Sequence, residues 1–456
     1  METGDGGLGM GHERPLFSNR SLAALIGPLL VEQALAVMIG MVDTMMVSSL
    51  GEAAVSSVSL VDNVNLLMIQ IFSALAAGGA VVVSQYVGSR DEENACESAN
   101  QLYRASFITA LAIALPSLLF NRSILTGVFG RLEEDVLGGA VTYYALTAFS
   151  YPFLALYFSG ASVFRSMGNS RVSMRASLVM NLVNVTGNAL LIYGFGLGVM
   201  GAGITTLFAR ALGAVYLTAR LRSRKNAIHI EKIWKPAFRR DLIGHILGIG
   251  VPNGLENGMF QIGKLVVMNL IASLGTTAIA ANAVVSSMAS VATLPGNGVG
   301  LGMVTVVGQC MGAGRPDEAA SNVRKLMLAC HALMLVTCGA LFAFSGQIVS
   351  LYSLSGEAAA LAGRIFRFYS VWCFLIWPES FTLPSALRGA GDARFTMAVS
   401  MLSMWVCRIA LCYLLTLRFG MGLAGVWVAM IIDWAMRMIA FIIRFARGKW
   451  RSIKVI

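Results

Sequence analysis

Residues 28–51, PLLVEQALAVMIGMVDTMMVSSLG, align without a gap with residues 252–275, PNGLENGMFQIGKLVVMNLIASLG, and share Pro, Glu, Val, Ser, Leu and Gly. Each stretch is long and apolar enough to cross a bilayer as a helix. Each also carries ionisable groups, Glu32 and Asp43 in the first and Glu256 and Lys264 in the second. A charge at mid-bilayer costs about 2.5–3.5 kcal/mol on insertion scales, so such groups are expected to face protein or water. Glu32 and Asp43 are eleven residues apart. On an α-helix that spacing is about 20° of rotation and about 16 Å of rise, which predicts one shared face. Glu256 and Lys264, eight apart, are offset by about 80°, so no salt bridge is expected between them.

The pairing extends along the chain. SQYVGSRDEENA at 84 matches GQCMGAGRPDEA at 308, FRSMGNSRVSM at 164 matches LRGAGDARFTM at 387, and Gly203 matches Gly425, all at offsets of 222–224. Apolar runs fall near 21–47, 53–84, 97–120, 136–162, 170–195 and 198–221, then near 242–272, 277–308, 322–346, 359–386, 395–417 and 422–445. Six runs per repeat is an even number, so both halves enter the membrane the same way round. That is a parallel repeat about an axis along the membrane normal. The expectation is an all-α integral membrane protein with twelve transmembrane helices in two pseudo-symmetric six-helix lobes. Residues 1–20 form a tail, 21–221 the first lobe, 222–241 an interlobe linker, 242–445 the second lobe and 446–456 a second tail. Pro28 and Pro252 occupy matching positions, and Pro116, Pro152, Pro295, Pro378 and Pro384 interrupt other spans; bends that widen a cavity are expected at such positions.

Composition agrees. Of 456 residues, 57% are hydrophobic and 12% charged, against roughly 25% charged in soluble domains. The net charge of +11 would suggest nucleic acid in a soluble protein. Here the basic residues concentrate in the even-numbered loops and the termini, above all in RLRSRKNAIHIEKIWKPAFRR at 220–240, while the odd loops hold Arg122, Arg131 and Arg418. The asymmetry predicts cytoplasmic termini and contact with anionic lipid, without a nucleic-acid partner. The seven cysteines include no CxxC and read as small buried hydrophobes, and the four histidines make no HExxH, so no structural metal is expected. No GxxxxGK[ST] occurs, which leaves ATP out as the direct energy source. The 25 Met and 23 Phe would suit an adaptable binding wall as well as plain packing.

Other polar groups lie within the spans. NLVNVTGN in span 5 contributes Asn181, Asn184 and Asn188, of which the last two share a face. Span 2 adds Asp62, span 8 Asn282 and span 10 Glu379. Arg408 in span 11 and Asp433 in span 12 are expected to pair as structural charges. A sheltered carboxyl can bind a proton near neutral pH, or hold Na⁺ with amide and carbonyl oxygens. Either ion removes charge that a cationic substrate would use, so ion and substrate affinities are coupled reciprocally.

VDTMMVSSLG, VPNGLENG, GQCMGAGRPDEA and LRGAGDARFTM resemble segments of the multidrug and toxic compound extrusion (MATE) family, and the resemblance covers residues 20–445. It implies two six-helix lobes in a V and export of organic cations and other amphipathic compounds in exchange for Na⁺ or H⁺. By the same resemblance Asp43 and Asn184 belong to a first-lobe cation site. Asn188 stands where many members have aspartate, and Glu256 belongs to a second-lobe site that would hold Na⁺. Glu379 lies near the family's span-10 acid, at a different distance from the following Leu-Arg-Gly. Glu32 enters through its symmetry with Glu256, and Lys264, Asn181 and Asp62 complete the candidate set. On this reading Glu256→Gln abolishes ion-driven efflux, and the chain is a multi-pass monomer with no cofactor beyond its coupling cation. Three alternatives stay open. A flippase for a lipid-linked precursor, of the same fold group, would need basic residues facing its cavity, drawn from Lys264, Arg408, Arg210 and Arg437. A membrane enzyme would need a catalytic cluster that is not apparent. A passive channel fits fused unequal lobes less well than alternating access does.

Overall fold

The computed structural model describes residues 15–231, 238–352 and 354–456; residues 1–14 of the expected first tail and 232–237 of the expected linker lie outside them. Nearly all of the described chain is helical. Among the described residues, nine helices and two bent helix pairs are long and apolar enough to cross a membrane, and the 33-residue helix Arg240–Ala272 takes the place of the remaining expected span. The first lobe holds span 1 (Asn19–Ser48), span 2 (Glu52–Gly88), span 3 (Glu92–Leu119), span 4 (Glu134–Phe149 with Tyr151–Ser166), span 5 (Ser170–Gly194) and span 6 (Gly198–Leu221). The second holds span 7 (Arg240–Ala272), span 8 (Thr276–Ala292 with Leu294–Gly312), span 9 (Pro316–Ala343), span 10 (Gly356–Gly389), span 11 (Ala393–Arg418) and span 12 (Gly422–Ala446).

The repeated RDEE and RPDE motifs are helix-start chemistry. Asp91 caps span 3 by accepting from the Asn94 N–H at 3.0 Å. Glu92 and Glu93 in that first turn, and Asp317 and Glu318 after Pro316 in span 9, oppose the positive end of the helix dipole. The preceding turn is left-handed at matching positions, Arg90 (φ 60°) and Gly314 (φ 69°).

Prolines bend some spans. Span 4 turns by 45° just before Pro152, and span 8 by 43° just before Pro295. Pro378 opens a wide π turn in span 10, Pro378–Thr382, and another such turn, Ala189–Gly194, follows Asn188 in span 5. Wide turns of this kind re-aim side chains and recur at functional sites.

The lobes meet along the half of the molecule nearer the chain termini. Span 2 packs on span 7 and on the second part of span 8, which also contacts span 1. The contact is reciprocal under the repeat. A Cβ at Gly88 would collide with the Gln309 carbonyl, and one at Gly312 with that of its counterpart Gln85. The Gln85 amide donates to the Gly389 carbonyl at 3.2 Å, and the Gln309 amide to that of Ser166 at 2.7 Å. Leu22, Leu25 and Ile26, at the start of span 1, share the second lobe's apolar core with Met303 and Val306. The segment after span 6 folds back on the first lobe, burying Ile228 and Ile230. After span 12 the chain stays docked too: Trp450 is buried and stacks on Phe445 at 5.2 Å.

Candidate functional site

In the first lobe, spans 1, 2, 4, 5 and 6 enclose a pocket of about 270 Å³. Asp43, Asp62, Asn181, Asn184, Asn188, Thr44, Tyr143, Thr206 and Arg210 all line it. The Asn188 amide donates to Asp43 at 2.8 Å. The Asn184 amide lies against the same carboxylate, and with its nitrogen turned inward it donates at 2.5 Å. The Asn188 carbonyl oxygen is buried without a partner among the described residues, which leaves it available as a ligand. Asp62 accepts from Asn65 and Tyr143 at 3.3 and 3.4 Å. Arg210 donates to Ser150 at 2.7 Å and forms no ion pair within 4.0 Å among the described residues. With both carboxyls ionised, two carboxylates against one guanidinium would leave the pocket one negative charge in excess, which a single monovalent cation or proton neutralises.

Glu32 and Glu256 are elsewhere. Glu32 pairs with Arg165 at 3.2 Å and accepts from Ser173 at 2.9 Å. Glu256 pairs with Arg388 at 3.3 Å and accepts from Ser400 at 2.7 Å. Neither lines the pocket above nor the wider cavity described next. The two ion pairs are repeats of one another, each joining the first span of a lobe to its fourth. The expected Na⁺ site at Glu256 is therefore occupied by a guanidinium in this conformation, and the shared face of Glu32 and Asp43 divides between an ion pair and a pocket. Arg165 and Arg388 stand inside the two motifs that revealed the repeat, FRSMGNSRVSM and LRGAGDARFTM. In the sequence alone they serve only as alignment marks, although an arginine recurring in both repeats, as the glutamates do, is the signal for their pairing.

A wider cavity of about 780 Å³ opens between the lobes in the half remote from the termini. Asn63, Leu66 and Leu67 of span 2 form one wall; Phe260, Lys264, Asn282, Trp377, Phe381 and Arg408 belong to the other. Lys264 has no carboxylate within 4.0 Å among the described residues, and its ammonium lies 6.0 Å from the Phe260 ring. The expected Arg408–Asp433 pair forms at 3.8 Å, and Arg437 joins it, 3.1 Å from Asp433. Glu379 stays out of both cavities. It meets His331 of span 9 at 2.6 Å, while the other ring nitrogen of His331 is 3.0 Å from the Phe374 carbonyl. Among the described residues, no group of three or more His, Cys, Asp or Glu is placed to hold a metal, and the cysteines are free.

The MatE family model matches the chain twice, over residues 28–190 and 252–414. The chain belongs to the MatE family. The two matched segments are the two lobes' repeats, displaced by the offset that the opening alignment gave. This MatE protein is 27% identical to the "Uncharacterized transporter YisQ" of Bacillus subtilis over 449 residues, 96% of each chain. It is 24% identical to the "Probable multidrug resistance protein NorM" of Thermotoga maritima, covering 96% of this chain and 94% of that one. Among solved structures it resembles an "Outward-facing conformation of a multidrug resistance MATE family transporter of the MOP superfamily", with TM-score 0.87 and 19% identity over 94% of this chain and 95% of the other. A MOP superfamily transporter from Pyrococcus furiosus, described by a reverse polarity of its binding pocket, gives the same TM-score at 19% identity, covering 95% and 97%. A MatE protein with these spans is a multi-pass integral membrane protein, and three of the four proteins named here are described as transporters.

Proposed function

We propose that this MatE protein is a secondary active antiporter that exports amphipathic small molecules in exchange for Na⁺ or H⁺ by alternating access, with both termini in the cytoplasm. The observation that carries the reading is Asp43: a membrane-embedded carboxylate held by amides, without an ion-pair partner within 4.0 Å among the described residues. Such a group faces a polar pocket because lipid would exact too high a penalty, and a cation bound there makes the pocket neutral. The unpartnered Asn188 oxygen adds a hard ligand for Na⁺. With positive loops inside, the seal at Gly88 and Gly312 lies on the cytoplasmic side and the wide cavity opens outward.

The volumes divide the work. About 270 Å³ suits an ion and its water, whereas about 780 Å³ suits a drug-sized molecule, whose sites run roughly 300–1,000 Å³. Ion and substrate then occupy different cavities, and their coupling runs through the lobe arrangement that both bias. The relatives' names, which speak of multidrug resistance, support a substrate of this size.

The test is substrate efflux from proteoliposomes with Na⁺ and pH gradients imposed separately, using ethidium and fluorescein as probes. One gradient accelerates efflux, and Asp43→Asn removes that acceleration while the protein stays folded by tryptophan fluorescence. Equal rates with and without either gradient would contradict antiport.

A further inference from the structure

We infer that the wide interlobe cavity of this protein is built for an amphipathic anion: an aromatic or aliphatic body bearing a carboxylate or phosphate. The inference deepens the export reading above and rests on it for the direction of movement, but not for binding.

Positive charge gathers at and behind one wall of the cavity. Lys264 and Arg408 both line the cavity. Asp433 is fully buried and already has two guanidiniums against it, Arg408 at 3.8 Å and Arg437 at 3.1 Å. Arg437 also donates to the Ser400 carbonyl at 3.1 Å, so it is fixed in place. Two cations therefore face one carboxylate, while Lys264 has no carboxylate within 4.0 Å among the described residues. All three lie within 6.0 Å of the Phe260 ring centre: Lys264 at 6.0, Arg408 at 5.4 and Arg437 at 5.5 Å. No acidic residue lines this cavity among the described residues. Two positive charges are left over beside an aromatic wall in which Trp377 stacks on Phe381 at 5.1 Å.

An unpaired lysine in a membrane span is unfavourable unless it faces water or a partner. Lys264 extends into the cavity, so an anion arriving there supplies the partner that the fold withholds. A cationic substrate would meet like charge instead, which acts against binding. The aromatic rings receive the apolar body, and Asn282, which lines the same cavity, offers a neutral polar contact beside it. A free amphipathic acid and an anionic lipid headgroup share this chemistry.

Equilibrium binding to the purified full chain in zwitterionic nanodiscs tests the inference with no ion gradient present, so a failure of antiport leaves the readout unaffected. Fluorescence polarisation with fluorescein is expected to show tighter binding than with ethidium. Raising the salt concentration should weaken fluorescein binding, because the attraction is electrostatic. Lys264→Gln should lower fluorescein affinity about ten-fold, an order set by the loss of one charge-assisted contact. Lys264→Glu should reverse the preference toward ethidium. Lysine-dependent flipping of fluorescently labelled phosphatidylglycerol, read by dithionite quenching, would assign the anion to a lipid; its absence alongside fluorescein binding would assign it to a free acid. The inference is overturned if the wild-type protein prefers ethidium, or if folded Lys264→Gln binds fluorescein as tightly as wild type. Should Lys264→Glu fail to fold, the salt dependence and Lys264→Gln decide.

Discussion

Glu32 and Glu256 exemplify what a single residue type conceals. Both are glutamates at matched positions in spans, and both find a matched arginine 132–133 positions later in the chain. That partner was invisible to helical spacing, which reaches only residues on one span. The side chains involved are 10–19% exposed, so removing one member leaves an uncompensated charge. Arg165→Ala and Arg388→Ala are each expected to destabilise the protein by about 3 kcal/mol, the lower end for broken buried pairs, as read by thermal unfolding in detergent. Glu256→Gln alone leaves Arg388 unpaired and should impair both stability and transport. The charge-neutral double variant Glu256→Gln with Arg388→Gln separates the two roles: recovery of transport marks a structural strut, and continued loss marks a coupling site. Arg90 offers a test of a different kind. It holds a left-handed conformation that its counterpart Gly314 adopts freely, so Arg90→Gly should stabilise by about 1 kcal/mol.

At the scale of elements, the spans were legible because each is a long apolar run, and the parallel repeat was legible because its motifs recur at one offset. The RDEE and RPDE motifs could be aligned from sequence, but their meaning as helix starts needed the caps to be seen. Proline gave the bends of spans 4 and 8; the wide turn after Asn188 in span 5 has no proline within it and left no such mark. Spans 2 and 8 cross so closely that their glycines are structural. An exposed helical Gly→Ala change gains about 1 kcal/mol. Gly88→Ala and Gly312→Ala should instead disfavour the sealed arrangement, because the added methyl meets a backbone carbonyl that cannot swing away. Spin labels on the two lobes' ends nearer the chain termini would then report longer distances than in wild type, and unchanged distances would contradict the close approach.

Across the whole molecule, an acidic pocket lies within the first lobe, and a cavity with basic residues on its second-lobe wall lies between the lobes. The pocket around Asp43 was foreseeable from span 1 and NLVNVTGN, since its acid and amides are close in sequence to recognisable motifs. The basic wall around Phe260 was not. It assembles Lys264, Arg408 and Arg437 from spans 7, 11 and 12, and the sequence showed only that these arginines and this lysine existed within spans. The function proposed above puts ion and substrate in separate cavities coupled through the lobes, where the sequence expectation has a cationic passenger compete with the ion for one carboxylate. Efflux from proteoliposomes under a single imposed cation gradient, comparing wild type with folded Asp43→Asn, bears most directly on that account. The account expects gradient-driven efflux in the wild type and its loss in Asp43→Asn; equal gradient-driven efflux by the two proteins would contradict it.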